Sequence, residues 1–170
     1  MLFIVLGFIL ARVIYWIFYR VSFRVVRNST PIYGDKKKGK VKIMTVLGSG
    51  GHTTELLMLL KDLNIKDSIK LVCIIAKTDH LSRKKTIYVY SRELGLSEEQ
   101  TENLIDFVDI SRSREVGQSY LTSVFSSIKA LSESVRVVFS EKPDLLIVNG
   151  PGTCIPICYS ALLLEVSDSF

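Results

Sequence analysis

Reactive and metal-binding side chains are scarce in this sequence. Its 170 residues hold three cysteines and two histidines. Cys73, Cys154 and Cys158 are an odd set without framework spacing, each inside an apolar run, which argues against a disulfide scaffold. With only His52 and His80 to add to them, a zinc site is not expected either. They read instead as small buried core residues, with Cys154 and Cys158 spaced to meet on one helix face. No Gly-Lys-Ser/Thr follows a glycine-rich stretch, which removes a P-loop. Repeats and low-complexity tracts are missing, and 48% apolar against 23% charged residues is too apolar for a disordered chain.

Positive charge is missing from most of the chain, although the net charge is +5. Residues 1–42 hold nine Lys and Arg against one acid, Asp35, leaving 13 basic and 16 acidic residues in 43–170. The bulk of the molecule is mildly acidic, which excludes a nucleic-acid-binding domain, because phosphate-backbone affinity needs basic residues on the domain itself.

What is present begins with an 18-residue apolar run at residues 2–19, broken only by Arg12. That length is near the lower limit for spanning a bilayer. Its twelve Leu, Ile, Phe and Val residues at ~−0.3 to −0.6 kcal/mol each outweigh one arginine at ~+2.5 to +3.5 kcal/mol, so insertion is expected. No basic stretch precedes the run and no A-x-A-like site follows it, unlike a cleaved signal peptide. The basic strip comes after the run, which places the rest of the chain in the cytosol. Arg12, Tyr15, Trp16 and Tyr19 also suit a shallower, interfacial helix. We therefore divide the chain into an anchor with its basic flank (residues 1–27), a linker (28–40) whose lysines favour anionic headgroups, and a folded domain (41–170). Asn28-Ser29-Thr30 matches a glycosylation acceptor but is inert on the cytosolic side.

Within 41–170, strand and helix patterns alternate. Val41–Leu47, Ile69–Ala76, Leu104–Ile110 and Asp144–Val148 read as strands, the second a continuous apolar run of the kind buried on both faces. Helices are expected over Thr53–Leu63, about 80–95, 118–140 and Thr153–Leu164. The third carries Leu121, Val124, Phe125, Ile128 and Leu131 on one face and is stopped by Lys142-Pro143. Strands separated by helical crossovers predict a Rossmann-like, doubly wound parallel sheet behind one transmembrane helix.

Two glycine-rich loops sit at strand-to-helix junctions. The first, Gly48-Ser49-Gly50-Gly51-His52-Thr53-Thr54-Glu55, lets backbone amides approach a ligand at a helix N-terminus, which suits an anion. It lacks the sixth-position glycine of a dinucleotide fingerprint, and a plain packing turn is the competing reading. His52 suits a general base or phosphate ligand, and equally a helix-capping histidine. Glu55 is expected to help cap the helix. The second loop, Asn149-Gly150-Pro151-Gly152-Thr153, would face the same crevice beyond the C-terminal strand ends. Arg112 and Arg114, after the third strand, could pair with phosphate there or be plain surface charges.

The segments GSGGHTTE at 48–55, SREVGQS at 113–119, and NGPGTCIPIC with SALLL at 149–164 resemble the membrane-anchored subunit family of endoplasmic-reticulum UDP-N-acetylglucosamine transferases. The likeness covers about residues 1–164. It implies the N-terminal, acceptor-side half of a GT-B glycosyltransferase, here incomplete. It also implies a soluble partner subunit that holds UDP-GlcNAc, and GlcNAc-pyrophosphate-dolichol as lipid-linked acceptor. By that resemblance His52 is the candidate base. By the same likeness Gly48, Gly50, Gly51 and His52 would face the acceptor pyrophosphate, and from their places in the loops Ser49, Thr53, Arg112, Arg114, Asn149, Gly150 and Gly152 are expected to join them. No Asp-x-Asp pair implies a metal, and no cofactor is expected. The implied location is the endoplasmic-reticulum membrane, single-pass, with the domain cytosolic. After Leu164 the chain departs from the family pattern, so a truncated, singly inactive form is expected. Two other classes stay open: a non-catalytic membrane scaffold, and a stand-alone nucleotide-binding enzyme using Asp79 as its ribose-binding acid.

Overall fold

A computed structural model describes residues 39–48, 50–113, 119–150 and 152–167, together with Gly7, Arg12 and Tyr15. The chain divides into two units, Met1–Lys36 and Lys37–Phe170. In the first, Gly7, Arg12 and Tyr15 are helical. The rest of the expected anchor, and the linker up to residue 38, lie outside the described residues. Among the described residues no helix is long and apolar enough to cross a membrane.

The second unit runs β1 (Val41–Leu47), α1 (Gly51–Leu60), β2 (Ile69–Ala76), α2 (His80–Leu94), α3 (Glu98–Glu102), β3 (Ile105–Ile110), α4 (Tyr120–Glu141), β4 (Leu145–Val148) and α5 (Cys154–Ser167). The strands form one parallel sheet in the order β3-β2-β1-β4. Its register sets Val41 against Ile69, Leu71 against Ile105 and Ile43 against Leu145. The chain moves outward from β1 through β2 to β3, then returns to add β4 on the other side of β1. The strand order reverses between β1 and β4, and that junction is where a doubly wound sheet opens a crevice.

Strand alternation explains the two helical layers. Ile43, Leu47, Leu71, Cys73 and Ile75 face one core with Leu56, Leu57 and Leu60 of α1 and Tyr90 of α2. Met44, Val46, Val72 and Ile74 face the other with Val138 of α4 and Cys154, Ile157 and Leu164 of α5. Side chains two apart share a face, so β1 and β2 carry apolar residues on both sides to serve both layers; the exceptions are Lys42 and Lys70 at the strand starts and Thr45, whose hydroxyl donates to the Ile147 carbonyl at 2.9 Å. Tyr90 fits the first core because its hydroxyl donates to the Leu60 carbonyl at 2.7 Å.

Three expectations change on contact with the fold. The apolar face of α4 is turned outward: Val124, Phe125, Ile128 and Leu131 are exposed, while Ala130, Ser134 and Val138 are buried. Small residues let the α4 backbone pack closely, and Ser134 satisfies its hydroxyl on the Ala130 carbonyl at 2.7 Å. Cys158 is exposed, whereas Cys73 and Cys154 are buried. Finally, α3 was not anticipated. It is a single turn held by a reciprocal capping box between Ser97 and Gln100.

Candidate functional site

β1 delivers the first loop to the switch point. Gly50 is the N-cap of α1, with φ +70° and ψ −125°, a conformation only glycine adopts without strain. No described side chain caps the helix, so its first amides stay open to a ligand. Glu55 therefore does not cap α1; it lies beyond the first turn, and its Oε2 accepts from Asn149 Nδ2 at 2.9 Å. That bond joins α1, the helix that the β1 loop opens, to the β4 loop.

His52 stands between the two loops. A Cβ on Gly48 would come within 3.3 Å of His52 Cβ, a tight approach that glycine avoids, while one on Gly150 would sit 3.7 Å from the His52 ring, at ordinary contact distance. His52 Nδ1 is 3.7 Å from Glu55 Oε2. Asn149 Nδ2 also reaches the His52 carbonyl at 3.4 Å.

Beneath the first loop lies a buried hydroxyl cluster. Thr53, 1% exposed, gives its hydroxyl to the Gly48 carbonyl. Ser82 Oγ lies 3.0 Å from Thr53 Oγ1, 3.1 Å from the same carbonyl and 2.7 Å from Asp79 Oδ2. The Thr53 hydroxyl thus braces the loop from inside and does not line the cleft. Asp79 does line it, but its two oxygens already cap α2 through the Ser82 amide at 3.1 Å and the Ser82 hydroxyl. Serving as a helix cap is a different task from holding a ribose diol, so the dinucleotide reading of Asp79 is set aside.

The third loop is fixed from α4. Glu133 accepts from the Ser111 amide at 2.6 Å and the Ser111 hydroxyl at 3.0 Å, and pairs with Lys77 Nζ at 3.3 Å. Burial pushes the Glu133 carboxyl up, but the two Ser111 hydrogen bonds and the Lys77 ammonium together hold it below the usual carboxylate range. Ser126 and Ser127 donate to the Ser113 carbonyl at 2.7 and 3.1 Å. The loops enclose an open cleft of about 460 Å³ bounded by His52, Asp79, Arg112, Gly150, Gly152 and Thr153.

The structure thus brings Gly48, Gly51, His52, Arg112, Gly150 and Gly152 to one cleft, with Gly50 and Asn149 beside it. Ser49 and Arg114 lie outside the described residues. No cluster of metal-ligating side chains occurs among the described residues. Two contributors, Ser82 and Glu133, and the clamping role of Asn149 were not singled out from sequence. Ser82 carried a signal, the Asp-x-x-Ser spacing of an N-cap. Asn149 as a clamp and Glu133 as a loop anchor depend on tertiary pairing and carried none.

This is a doubly wound α/β domain with a glycine-lined cleft at its topological switch point. The chain belongs to the family described as "Oligosaccharide biosynthesis protein Alg14 like", which matches residues 43–168. It is similar to the mouse protein named UDP-N-acetylglucosamine transferase subunit ALG14, 43% identical over 131 residues, covering 74% of this chain and 58% of that protein. The human protein of that name is 42% identical over 129 residues, 74% of this chain and 58% of that one. The Yarrowia lipolytica protein is 35% identical over 129 residues, 76% and 57%. The chain spans under three fifths of these relatives' length. No solved structure matches it significantly.

Proposed function

We propose that this chain is the membrane-anchoring, acceptor-side subunit of a UDP-N-acetylglucosamine transferase. The complex would add the second GlcNAc to GlcNAc-pyrophosphate-dolichol in N-glycan precursor synthesis. One observation carries the reading: His52 is set between two glycine loops at the switch point, in a chain whose relatives are named as subunits of that transferase. A subunit implies a partner. Here that is a soluble protein holding UDP-GlcNAc, with this domain as the N-terminal half of a GT-B enzyme. Residues 1–27 anchor it to the endoplasmic-reticulum membrane, and 41–170 face the cytosol.

In this reading the amides of the first loop and the α1 N-terminus, with Asn149, Gly150, Gly152, Arg112 and Arg114, hold the acceptor pyrophosphate. Thr53 acts by bracing Gly48. The acceptor hydroxyl oxygen forms a bond to the sugar C1 as the C1–O bond to UDP breaks. UDP leaves with the electron pair, and His52 takes the hydroxyl proton. The test is co-expression with the soluble subunit, followed by pull-down and transfer assay. His52→Ala should lower turnover by ~10²–10⁴-fold, the usual weight of general-base catalysis, while partner capture is kept. Near-wild-type turnover would remove His52 from catalysis.

A further inference from the structure

We propose that Glu55, held in place by Asn149, fixes His52 as the Nδ1–H tautomer, so that Nε2 carries the free lone pair. This rests on the reading of His52 as the proton acceptor, and it assigns Glu55 and Asn149 as positioning residues.

Three observations converge. Glu55 Oε2 lies 3.7 Å from His52 Nδ1. The same oxygen accepts from Asn149 Nδ2 at 2.9 Å. Both loops run close to His52, since a Cβ built on Gly48 or Gly150 would lie 3.3 or 3.7 Å from its atoms. A carboxylate repels a nitrogen lone pair and attracts an N–H, so an imidazole whose Nδ1 faces Glu55 places its proton there. At 3.7 Å the contact is electrostatic, longer than a hydrogen bond, and such contacts commonly shorten when a substrate closes the site.

Glu55 alone would be a weak director. Its side chain is 65% exposed, and water screens such a charge. Asn149 supplies what exposure removes, because its amide pins the carboxylate and also reaches the His52 carbonyl at 3.4 Å. The clamp spans two strands, so the tautomer depends on the β1 and β4 loops being docked together. When Nε2 takes the acceptor proton, the resulting imidazolium keeps its Nδ1–H toward Glu55, and the carboxylate stabilises the new charge. Among the described residues the other charged groups lining the cleft are Asp79 and Arg112, on different elements.

The experiment is long-range proton–nitrogen correlation on the full chain carrying nitrogen-labelled histidine, above the pH at which imidazole is charged. Only His52 and His80 contribute, and a His80→Gln variant assigns them. Wild type should show the Nδ1–H pattern for His52. Glu55→Ala should move it to the Nε2–H pattern, and Asn149→Ala should give a mixture, with circular dichroism unchanged. An Nε2–H pattern in wild type, or one that Glu55→Ala does not move, overturns the proposal. In the assembled complex, Glu55→Ala should lower kcat by about tenfold with little change in acceptor KM. Because the tautomer is read without substrate, an active His52→Ala variant would refute the base assignment while leaving the clamp intact.

Discussion

Ser113 donates its hydroxyl to the Gly152 carbonyl at 2.9 Å, which ties the loop after β3 to the loop after β4. The Asn149–Glu55 bond ties the β4 loop in turn to α1, the helix that the loop after β1 opens. The segments that follow three strands are therefore cross-linked around one cleft by short polar side chains. Such preorganisation matters for an anion site, because amides already aimed at a ligand need no reordering when it arrives.

The first prediction concerns Glu133, which anchors the third loop. Its carboxyl is held below the ordinary range, so the stability it supplies is present above the unfolded carboxyl value and fades as pH falls through the folded one. Glu133→Gln should lower unfolding free energy at pH 7 by ~1 kcal/mol, discounted for partial exposure. The difference should shrink below about pH 4, near the unperturbed glutamate value. Denaturant titrations at pH 7 and pH 3 check it; an equal loss at both would show that packing, rather than charge, links Glu133 to the loop.

Gly50 gives a second test. Its φ of +70° strains any other residue, yet a Cβ there meets nothing within 4 Å. Gly50→Ala should therefore cost ~1–3 kcal/mol through backbone strain alone. Gly50→Val should add a side chain where a pyrophosphate would lie and abolish transfer by the assembled complex. Transfer at wild-type level in Gly50→Val would separate the loop from the acceptor.

Asp79 separates a cap from a ligand site. Asp79→Ala removes the α2 cap and should cost ~1 kcal/mol, whereas Asp79→Asn keeps a good cap and should stay within ~0.5 kcal/mol of wild type. Thermal melts of the two variants decide the matter. Equal losses would mean that the carboxylate charge, and not capping geometry, is what α2 uses.

Much of this architecture could be read along the chain because its cause is local. A continuous apolar run marked β2, since a strand covered on both faces has no polar side, and a β-rich stretch ending in glycines marked β1. Glycines at the ends of β1 and β4 marked the loops. What escaped reading is set by pairing across long sequence separations. Glu55 is 94 residues from Asn149, and its place three residues after His52 suggested a cap, whereas tertiary contact made it a clamp. The face of α4 followed the same rule. Helical spacing identified an apolar stripe without telling which side meets the sheet.

The last prediction follows from that reversed face. Phe125 and Ile128 are 77% and 61% exposed, while Ala130, in the same helix, is fully buried. Hydrophobic stabilisation scales with area removed from water, so exposed side chains contribute little however apolar they are. Phe125→Gln with Ile128→Gln should leave the melting free energy within ~0.5 kcal/mol of wild type, as surface changes usually do. Ala130→Leu should do the opposite. It forces extra methylenes into a fully buried position and should cost ~1–3 kcal/mol by overpacking. The double Gln variant should also bind less of a hydrophobic dye than wild type, because contiguous exposed apolar surface is what such a dye reads. If the Gln pair instead destabilises the domain by several kcal/mol and Ala130→Leu is silent, α4 packs through its Phe125 face and the helix is rotated from the orientation described here.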